Sequence, residues 1–498
     1  MDEQNLKFIF GLKLNQLRSK KNLSLKELSA ASGVSASYLN EIEKGKKYPK
    51  ADKIVALAEA LDISYDDLVS LKLEAELNPL SDILRDGTLQ DIPFELFGLE
   101  TSDIMELMSN SPMKFSALLD TFSKIARNYD MRVEHLLFAA MRSYQEMNNN
   151  YFEDIETKVD SYIRKYSRFD FRNKNAAALG ELLHQNYGIE VKVQPFKRED
   201  AIDGIRAIHV PGKKPKLLLN DKLIEAQKKF LIAKEIGFKE LKLKERAHYS
   251  VWNNVDTFDK LLNNFKTSYF AGALLIPRTE ILAELREFFK KPQWDGKAFL
   301  GIMQRFDATP EMYFHRLSQL LPHYFEIDQL YFLRFNHHMP TDFYTLTKEL
   351  HFSRLHQPHG IGLNEHYCRR WITLILLKEL AAAKGKTNGS KTPIVGVQKS
   401  RFHNTENEYF CVSMARPLVL NPEVGSCVTL GFVMTEKFKR RVRFWNDERI
   451  KLLTVNKTCE RCGITDCKER VAPPTIYDRL QHQQKMEDTL QCMIKEYQ

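Results

Sequence analysis

Three cysteines near the carboxyl end have the spacing of metal ligands. Cys459, Cys462 and Cys467 follow a C-x2-C-x4-C pattern within nine residues. A short arc of backbone can direct three thiolates to one centre, which suits zinc or an iron-sulfur cluster. Such centres usually have four protein thiolates, and we select Cys427 as the fourth. Weaker alternatives for that position are Cys368, Cys411 and His403. The competing interpretation is that these cysteines are buried thiols that bind nothing.

Basic and aromatic side chains alternate between residues 437 and 445. Such cations can bind phosphates while the rings stack on a base, so the segment is a candidate site for a nucleotide-bearing ligand. It could also contact DNA, or form a solvated basic face. The candidate residues are Lys437, Lys439, Arg440, Arg441, Arg443 and Trp445, interleaved with Phe438 and Phe444.

Six of the fourteen histidines fall between residues 337 and 366. Their spacings match no metal-ligand pattern, so we interpret them as lining a polar pocket or a loop rather than binding a metal. These residues are His337, His338, His351, His356, His359 and His366.

Glu235 lies between Lys234 and Phe238 in the segment AKEIGF. Two histidines four residues apart on one helix face can bind zinc, with a glutamate between them as general base. The segment resembles the metallopeptidase domain of proteases that cleave phage-type repressors, in which both positions hold histidine. In this sequence Lys234 and Phe238 occupy the two histidine positions. Neither an ammonium group nor a phenyl ring can bind zinc. The resemblance aligns Lys266 with the acidic third ligand, so we expect a zincin-like fold that is not an enzyme.

Residues 23–49 have the pattern of two short helices joined by a tight turn. Ser24 and Glu27 form a capping-box pattern, so a helix starts there. Gly33 suits the positive-φ turn between the helices, and Ser35 can cap the second helix. The outward residues of that helix are those that a DNA major groove would meet. They are Ala36, Ser37, Tyr38, Asn40 and Glu41.

Positive charge is concentrated around these helices. From Lys13 to Lys53 there are ten Lys or Arg residues against four Asp or Glu, whereas residues 54–70 contain four acids and no Lys or Arg. This distribution fits contact with DNA phosphates, and the competing interpretation is a solvated helical hairpin. Residues 7–68 resemble the phage-repressor (XRE) helix-turn-helix domain. The resemblance includes the sequence IEKG at residues 42–45 and Pro49. That resemblance places Ser35, Ala36, Ser37 and Glu41 at base-reading positions and Lys44, Lys46 and Lys47 near the DNA backbone.

The length of 498 residues exceeds what one hydrophobic core supports, about 250 to 300 residues. We predict an all-α helix-turn-helix headpiece followed by two α+β domains. The predicted boundaries are 1–70 for the headpiece, 71–165 for a linker and helical segment, 166–325 for the zincin-like domain and 326–498 for a C-terminal sensor domain.

The elements that position the candidate residues follow from periodicity. Alternating apolar residues predict strands over 188–193, 207–210 and 217–219 before a helix over 221–241. Further strands are predicted over 330–335, 345–352 and 412–420, with a helix over 365–383. Amphipathic helices between residues 101 and 165 could pair subunits or pack within their own domain.

Composition indicates a cytoplasmic protein. The hydrophobic content is 43%, the charged content is 28% and the formal net charge is +9. No apolar run approaches the roughly 18 to 20 residues of a membrane span, and the N-terminus has no signal-peptide pattern. Seven cysteines, an odd number, fit reduced thiols and a metal site better than a disulfide framework.

Residues 458–474, TCERCGITDCKERVAPP, resemble the C-terminal domain of short-chain fatty acyl transcriptional regulators. Those proteins join a phage-repressor headpiece, a peptidase-like middle and a cysteine-containing ligand domain, in the order seen here. Residues 351–371 resemble another block of that family but depart from it at His356, Gln357 and His359. The resemblance implies control of propionate, acetate or glyoxylate-type carbon metabolism, an acyl-CoA or CoA effector and, in some members, an iron-sulfur centre.

These features predict a ligand-responsive transcriptional regulator that binds duplex DNA. One headpiece covers one half-site, so we expect a homodimer or homotetramer. One alternative is a repressor-cleaving metalloprotease with a DNA-targeting arm. Another is an antitoxin or phage-control protein that binds DNA and a partner protein.

Overall fold

The computed structural model describes residues 3–70, 133–197, 202–247, 257–339, 341–352, 365–383 and 392–496. The chain divides into two compact units, residues 1–144 with 253–261 and residues 145–252 with 262–498. The predicted boundary at residue 325 lies inside the second unit. Residues 101–132 of the segment with predicted amphipathic helices lie outside the described residues, as do His356 and His359.

The headpiece is all-α, as predicted. Its helices are α1 (Glu3–Lys20), α2 (Leu25–Ser32), α3 (Ala36–Glu43), α4 (Ala51–Leu61) and α5 (Tyr65–Val69). The predicted capping box is present, since Ser24 Oγ accepts from the Glu27 amide at 3.2 Å and Glu27 Oε2 accepts from the Ser24 amide at 2.7 Å. Gly33 ends α2 with φ +67°, the left-handed conformation that the turn requires.

Apolar side chains from each of these helices form one small core in the headpiece. Leu28 of α2 and Leu39 and Ile42 of α3 are fully buried in it. Leu39 and Ile42 therefore lie on the face of α3 opposite the predicted outward residues.

Helix α6 (Val133–Met147) crosses the boundary at residue 144, and the second unit continues with helices and a small mixed sheet. These elements are α7 (Glu153–Lys165), α8 (Ala176–Tyr187), β1 (Glu190–Gln194), β2 (Ala207–Val210), β3 (Lys216–Asn220) and α9 (Glu225–Glu240). The strand order is β1-β3-β2, with β1 parallel and β2 antiparallel to β3. Helix α8 packs against α9 and β1. All three predicted strands and the predicted helix are confirmed within a few residues at their ends.

Four helices follow, namely α10 (Phe258–Leu275), α11 (Arg278–Phe289), α12 (Gly296–Arg305) and α13 (Pro310–Phe325). A buried ion pair joins α13 to α7, because Arg316 donates to both carboxylate oxygens of Glu156 at 2.5 and 3.0 Å. Tyr269 of α10 donates a third hydrogen bond to Glu156 at 2.8 Å. The pair is sealed from water, so removing one partner would leave an uncompensated charge, which typically costs about 3 to 5 kcal/mol.

A six-stranded sheet dominates the C-terminal third. Its strands are β4 (Leu330–His338), β5 (Tyr344–His351), β6 (Ile394–Phe402), β7 (Glu408–Pro417), β8 (Val424–Val433) and β9 (Leu452–Val455). The order is β5-β4-β8-β7-β6-β9, antiparallel except for the β6–β9 pair. Helix α14 (Ile372–Ala383) packs on β6, β7 and β8, and α13 packs on β4 and β8. The α+β class predicted for this region is confirmed.

The described chain ends in a short helix α15 (Glu436–Arg441), a 3-10 turn (Arg443–Asn446), strand β9, the cysteine loop and a long helix α16 (Thr475–Glu496). Within the described ranges, no helix combines the length and apolar character needed to cross a membrane.

Candidate nucleic-acid interface and ligand sites

Helix α3 presents the predicted base-reading residues on its outer face. Ser35 caps the helix and accepts from the Tyr38 amide at 3.3 Å. Ser37 and Asn40 are exposed, and Ala36, Tyr38 and Glu41 are partly exposed. The opposite face is buried in the headpiece core, so the exposed face is the one available to a DNA groove.

The three lysines predicted to lie near DNA phosphates follow α3. Lys46 and Lys47 are exposed and Lys44 is partly exposed. Lys47 pairs with Glu41 at 3.0 Å, and its ammonium lies 5.8 Å from the centre of the Tyr38 ring. Glu41 therefore offsets one of the three positive charges in the absence of DNA.

A buried ion pair that the sequence analysis missed holds α3 against α1. Arg18 donates to both carboxylate oxygens of Glu43 at 2.6 and 2.8 Å, and Asn15 adds a bond of 2.7 Å. The hydrogen bond to Glu43 raises the pKa of Arg18. The signal in the sequence was an acid at an inward position of a helix, one residue after the buried Ile42.

The peptidase-like helix α9 carries Lys234, Glu235 and Phe238 at the positions predicted for them. Lys234 Nζ donates to Asn264 Oδ1 of α10 at 2.6 Å. Burial lowers the pKa of Lys234 to about 8, with Glu235 opposing that change and Arg246 adding to it. Phe238 is buried beneath Arg246, whose guanidinium carbon lies 4.2 Å from the centre of its ring.

Glu235, which the resemblance aligns with the general base of the peptidases, is buried and held in an ion pair. Arg246 donates to its two oxygens at 2.6 and 2.8 Å, and His209 Nδ1 lies 3.4 Å away. Burial alone would raise the pKa of Glu235, but the bonds from Arg246 and His209 outweigh it and lower that pKa to about 2. The carboxylate is thus an acceptor for a guanidinium.

The three clustered cysteines line one small cavity. Cys459, Cys462 and Cys467 are joined there by a fourth cysteine, Cys368, from the segment before α14. A short backbone pairing brings it there, because the Cys368 amide donates to the Lys457 carbonyl at 3.1 Å. Burial is the main reason that the pKa of Cys368 rises to about 11, and the nearby Cys459 and Cys462 add to the rise.

The choice of Cys427 as fourth cysteine is corrected by this arrangement. Cys427 lies inside β8, opposite Phe335 of β4 and Ala415 of β7, and is fully buried in the sheet core. It does not line the cavity, whereas Cys368 does. In the part of the chain that the structure describes, no three His, Cys, Asp or Glu side chains are grouped closely enough to hold a metal ion.

Arg470 organises the cysteine loop. Its guanidinium donates to the carbonyls of Cys459, Cys462 and Ile464 at 2.8, 2.9 and 2.7 Å. One cation therefore fixes the curvature of the loop at the edge of the cavity.

The basic segment 437–445 forms a surface rather than a pocket. Phe438 and Phe444 are buried in the core, so they are not free to stack on a base. Three of the cations have acidic partners. Lys437 pairs with Asp328 at 3.8 Å, Lys439 with Glu436 at 2.9 Å and Arg441 with Glu326 at 2.8 Å. Arg440 and Arg443 are exposed, and Trp445 is partly exposed with the Lys439 ammonium 5.2 Å from its ring centre.

The described histidines of the 337–366 group have separate neighbours. His337 donates to the Thr341 carbonyl at 2.6 Å and stacks on Tyr344. His351 lies 3.6 Å from Glu349, and His366 lies 2.7 Å from Glu460.

Family comparisons match two parts of the chain. A family model described as helix-turn-helix matches residues 14–68, and one described as IrrE N-terminal-like domain matches residues 185–318. These ranges contain the headpiece helices and the small sheet with α9.

Three curated proteins are similar to parts of this chain. The HTH-type transcriptional repressor RghR of Bacillus subtilis is 44% identical over 61 residues, 12% of this chain and 45% of that protein. An uncharacterized HTH-type transcriptional regulator, y4dJ of Sinorhizobium fredii, is 33% identical over 66 residues, 13% of this chain and 86% of that protein. A propionyl-CoA carboxylase regulator of Cereibacter sphaeroides is 22% identical over 333 residues, 63% of this chain and 65% of that protein. The matches thus span 45% of RghR and 65% of the carboxylase regulator.

Proposed function

This chain belongs to the XRE-type helix-turn-helix transcriptional regulators, with an IrrE N-terminal-like domain behind the headpiece, and we propose that it binds operator DNA under the control of a small molecule. The observation that carries the proposal is the exposed face of α3, which combines small polar side chains with three following lysines. Side chains of this kind can approach base edges while the lysines contact the backbone.

The effector in this proposal is a CoA ester or a short-chain acyl metabolite. Support comes from the three-part order of the chain and from its low-identity similarity to a propionyl-CoA carboxylase regulator. Control of carbon or fatty-acid metabolism is the corresponding biological role. The basic segment 437–445 gives this effector little support, because three of its cations already have acidic partners.

The peptidase-like part acts as a scaffold for sensing in this proposal and has no peptidase activity. Lys234 and Phe238 replace zinc ligands, and Glu235 is engaged by Arg246. Both oxygens of Glu235 accept hydrogen bonds from Arg246, and the nearby ammonium of Lys234 repels a divalent cation.

A zinc ion or an iron-sulfur cluster at the cysteine loop is part of the same proposal. Cys368, Cys459, Cys462 and Cys467 would hold it, and loading would require the loop to contract around the ion. Such a centre supplies a cross-link between the loop and the segment before α14. Arg470 already holds the backbone of the loop through the carbonyls of Cys459 and Cys462.

Helix α16 is the proposed surface for dimerisation with a second copy of the chain. It is 22 residues long, and none of its described residues is buried. At 3.6 residues per turn, Met486, Leu490, Met493 and Ile494 fall on one side, each about half exposed. An isolated helix of this length is marginal in water, so a partner helix is expected to cover the stripe.

The first turn of α16 is anchored to the cysteine loop. The amides of Ile476 and Tyr477 donate to the Glu460 carbonyl at 3.0 and 2.9 Å. A Cβ at Gly463 would lie 2.5 Å from Tyr477 Cζ, so a larger residue there would displace the Tyr477 ring. A change in the loop would therefore act directly on the first turn of α16.

DNA binding is tested with a duplex selected from a randomised library. Because each lysine contact displaces condensed counterions, Lys46→Gln and Lys47→Gln should each lower the slope of log affinity against log salt by about one. Asn40→Ala should change the preferred sequence and cost about 1 to 3 kcal/mol on the selected site. Fluorescence anisotropy of the full-length protein measures the DNA affinity of all three variants and its dependence on salt.

The control for this experiment is Lys290→Gln, which removes an exposed lysine of the second unit. The proposal is contradicted if the wild type shows no salt-dependent affinity for duplex DNA, or if the control lowers the slope as much as the headpiece variants do.

The cysteine centre is tested by elemental analysis of anaerobically purified variants. Cys368→Ser and Cys462→Ser should both lower the metal content per folded chain, because each removes a proposed ligand. Cys427→Ser is the matched control, since it alters a buried cysteine that does not line the cavity. Full metal content in Cys368→Ser together with loss in Cys427→Ser would refute the assignment.

Dimerisation is tested by sedimentation velocity of the full-length protein. Leu490→Glu introduces a charge into the apolar stripe and should shift the dimer toward monomer. Gln481→Glu adds the same charge on the opposite side of α16 and should leave the dimer intact. A wild type that sediments as a monomer, or a Leu490→Glu variant that sediments as the wild type does, would rule out this interface.

A further inference from the structure

A cavity of about 500 Å³ lies beside the small sheet of the second unit. One side of α8, the strands β1 and β3 and the first two turns of α9 form its walls. We refer to it as the α8–α9 groove, and its lining residues lie between 175 and 185, between 190 and 193, at 219 and between 225 and 232. Pockets that bind small molecules typically have volumes of about 300 to 1,000 Å³. The groove is therefore large enough for a ligand.

The groove is separate from the residues that the peptidase resemblance aligns with the catalytic centre. Lys234, Glu235 and Phe238 do not line it. Glu235 lies beside His209 of β2, and β2 is at the opposite edge of the small sheet from β1. A ligand in the groove would thus bind at a different place from a peptidase substrate.

The groove follows α8 for most of the length of that helix. At the first turns of α8 and α9, the Ala176 amide donates to the Glu225 carboxylate, which therefore already has a partner. At their last turns, the Tyr187 hydroxyl donates to Glu240, so the two helices run side by side in the same direction. The lining residues of α8 lie between 175 and 185, a distance of about 15 Å at 1.5 Å per residue. A peptide of about four residues in an extended conformation has a similar length.

Aliphatic side chains form the apolar part of the lining. Leu219 and Ile232 are fully buried, and Val191 is partly exposed. Val193, which pairs with Leu219 across the sheet, keeps 52% of its surface exposed. Covering exposed apolar surface with an apolar group is favourable in water. The lining therefore favours a ligand with an apolar body.

Charged side chains of both signs also line the groove. Glu190 is offset by Lys192 and Lys216, whose ammonium groups lie 3.4 and 3.6 Å from its carboxylate. Glu181 of α8 is exposed and Lys228 of α9 is partly exposed. Among the residues that the structure describes, neither of these two has an ion-pair partner within 4 Å. A ligand that carries both a positive and a negative charge could contact both.

We propose that the α8–α9 groove binds a short zwitterionic peptide with apolar side chains, about two to four residues long. The carboxylate of the peptide contacts Lys228, its ammonium contacts Glu181, and its side chains cover Val193. A fatty acid would leave Glu181 without a partner, an aliphatic amine would leave Lys228 without one, and a single amino acid would fill only part of the volume. This site goes beyond the proposed function, since its lining includes neither the cysteine loop nor the segment 437–445.

The test is isothermal titration calorimetry of the full-length protein with trileucine, without DNA. N-acetylated trileucine lacks the ammonium, and trileucine amide lacks the carboxylate. Each should bind about threefold to tenfold more weakly than trileucine, because each loses one charged contact at a partly solvated site. The inference is overturned if the wild type does not bind trileucine, or if both altered forms bind as tightly as trileucine does. These titrations leave the protein unchanged, so they remain decisive even where a variant fails to fold.

Variants assign each contact to its residue. In Lys228→Met the ratio of trileucine affinity to trileucine amide affinity should fall to about one, while the effect of acetylation persists. Glu181→Gln should abolish the effect of acetylation and keep the effect of amidation. Lys239→Met is the matched control, because it removes an exposed lysine of the same helix that does not line the groove. A merely structural role for Lys228 predicts equal weakening of all forms, and an unchanged ratio in Lys228→Met would contradict the assignment.

A blocking variant tests the location of the site. Ala177 lines the groove and is exposed in the first turn of α8, so Ala177→Trp places an indole in the groove and should abolish trileucine binding. Circular dichroism checks that this variant is folded. Trileucine binding of wild-type strength in the folded variant would overturn the groove as the site.

Free leucine separates a peptide from an amino acid as the ligand. It carries the same two charges but covers less of the apolar lining, so it should bind at least about tenfold more weakly than trileucine. Equal affinities for leucine and trileucine would overturn the assignment to a peptide. The DNA titrations use neither ligand, so failure here and failure of the proposed function are distinguishable.

Discussion

The recognition helix α3 has only eight residues, and its position depends on the ion pair between Arg18 and Glu43. A helix this short cannot hold its own conformation in water, so the contact with α1 and the headpiece core must fix it. Its exposed face then covers only a few base pairs. Specific binding by such a surface requires a second headpiece, and a second headpiece requires that two copies of the chain associate. The long apolar stripe on α16 and the large second unit are both consistent with that requirement.

The second unit contains an IrrE N-terminal-like domain in which charged side chains are paired inside the fold. Arg246 engages both oxygens of Glu235, and Lys234 donates to Asn264. In the proposed function these contacts take the place of the zinc ligation of the peptidases that the domain resembles. The amides of Ile476 and Tyr477 join the first turn of α16 to the cysteine loop.

Local patterns predicted the headpiece, the small sheet with α9 and strands β4 and β5, because capping residues and alternation identify such elements directly. Strand β8 was missed because all ten of its residues are buried, which removes the alternation of a half-buried strand. The segment 437–445 suggested a binding site because its cations are adjacent in sequence, yet its aromatic residues belong to the core. Cys368 was only a weaker alternative in the sequence analysis, since tertiary folding alone brings it to the cavity that the three clustered cysteines line.

Hydroxyl-radical footprinting of the full-length protein on its selected duplex tests the central claim most directly. Two headpieces carried by one dimer should protect two patches whose centres are separated by about 10 base pairs or a multiple of that spacing. Both protected patches should disappear together in the Leu490→Glu variant, in which the α16 helices of two copies no longer pair. A single protected patch at saturation, or no protection at any protein concentration, would contradict the account.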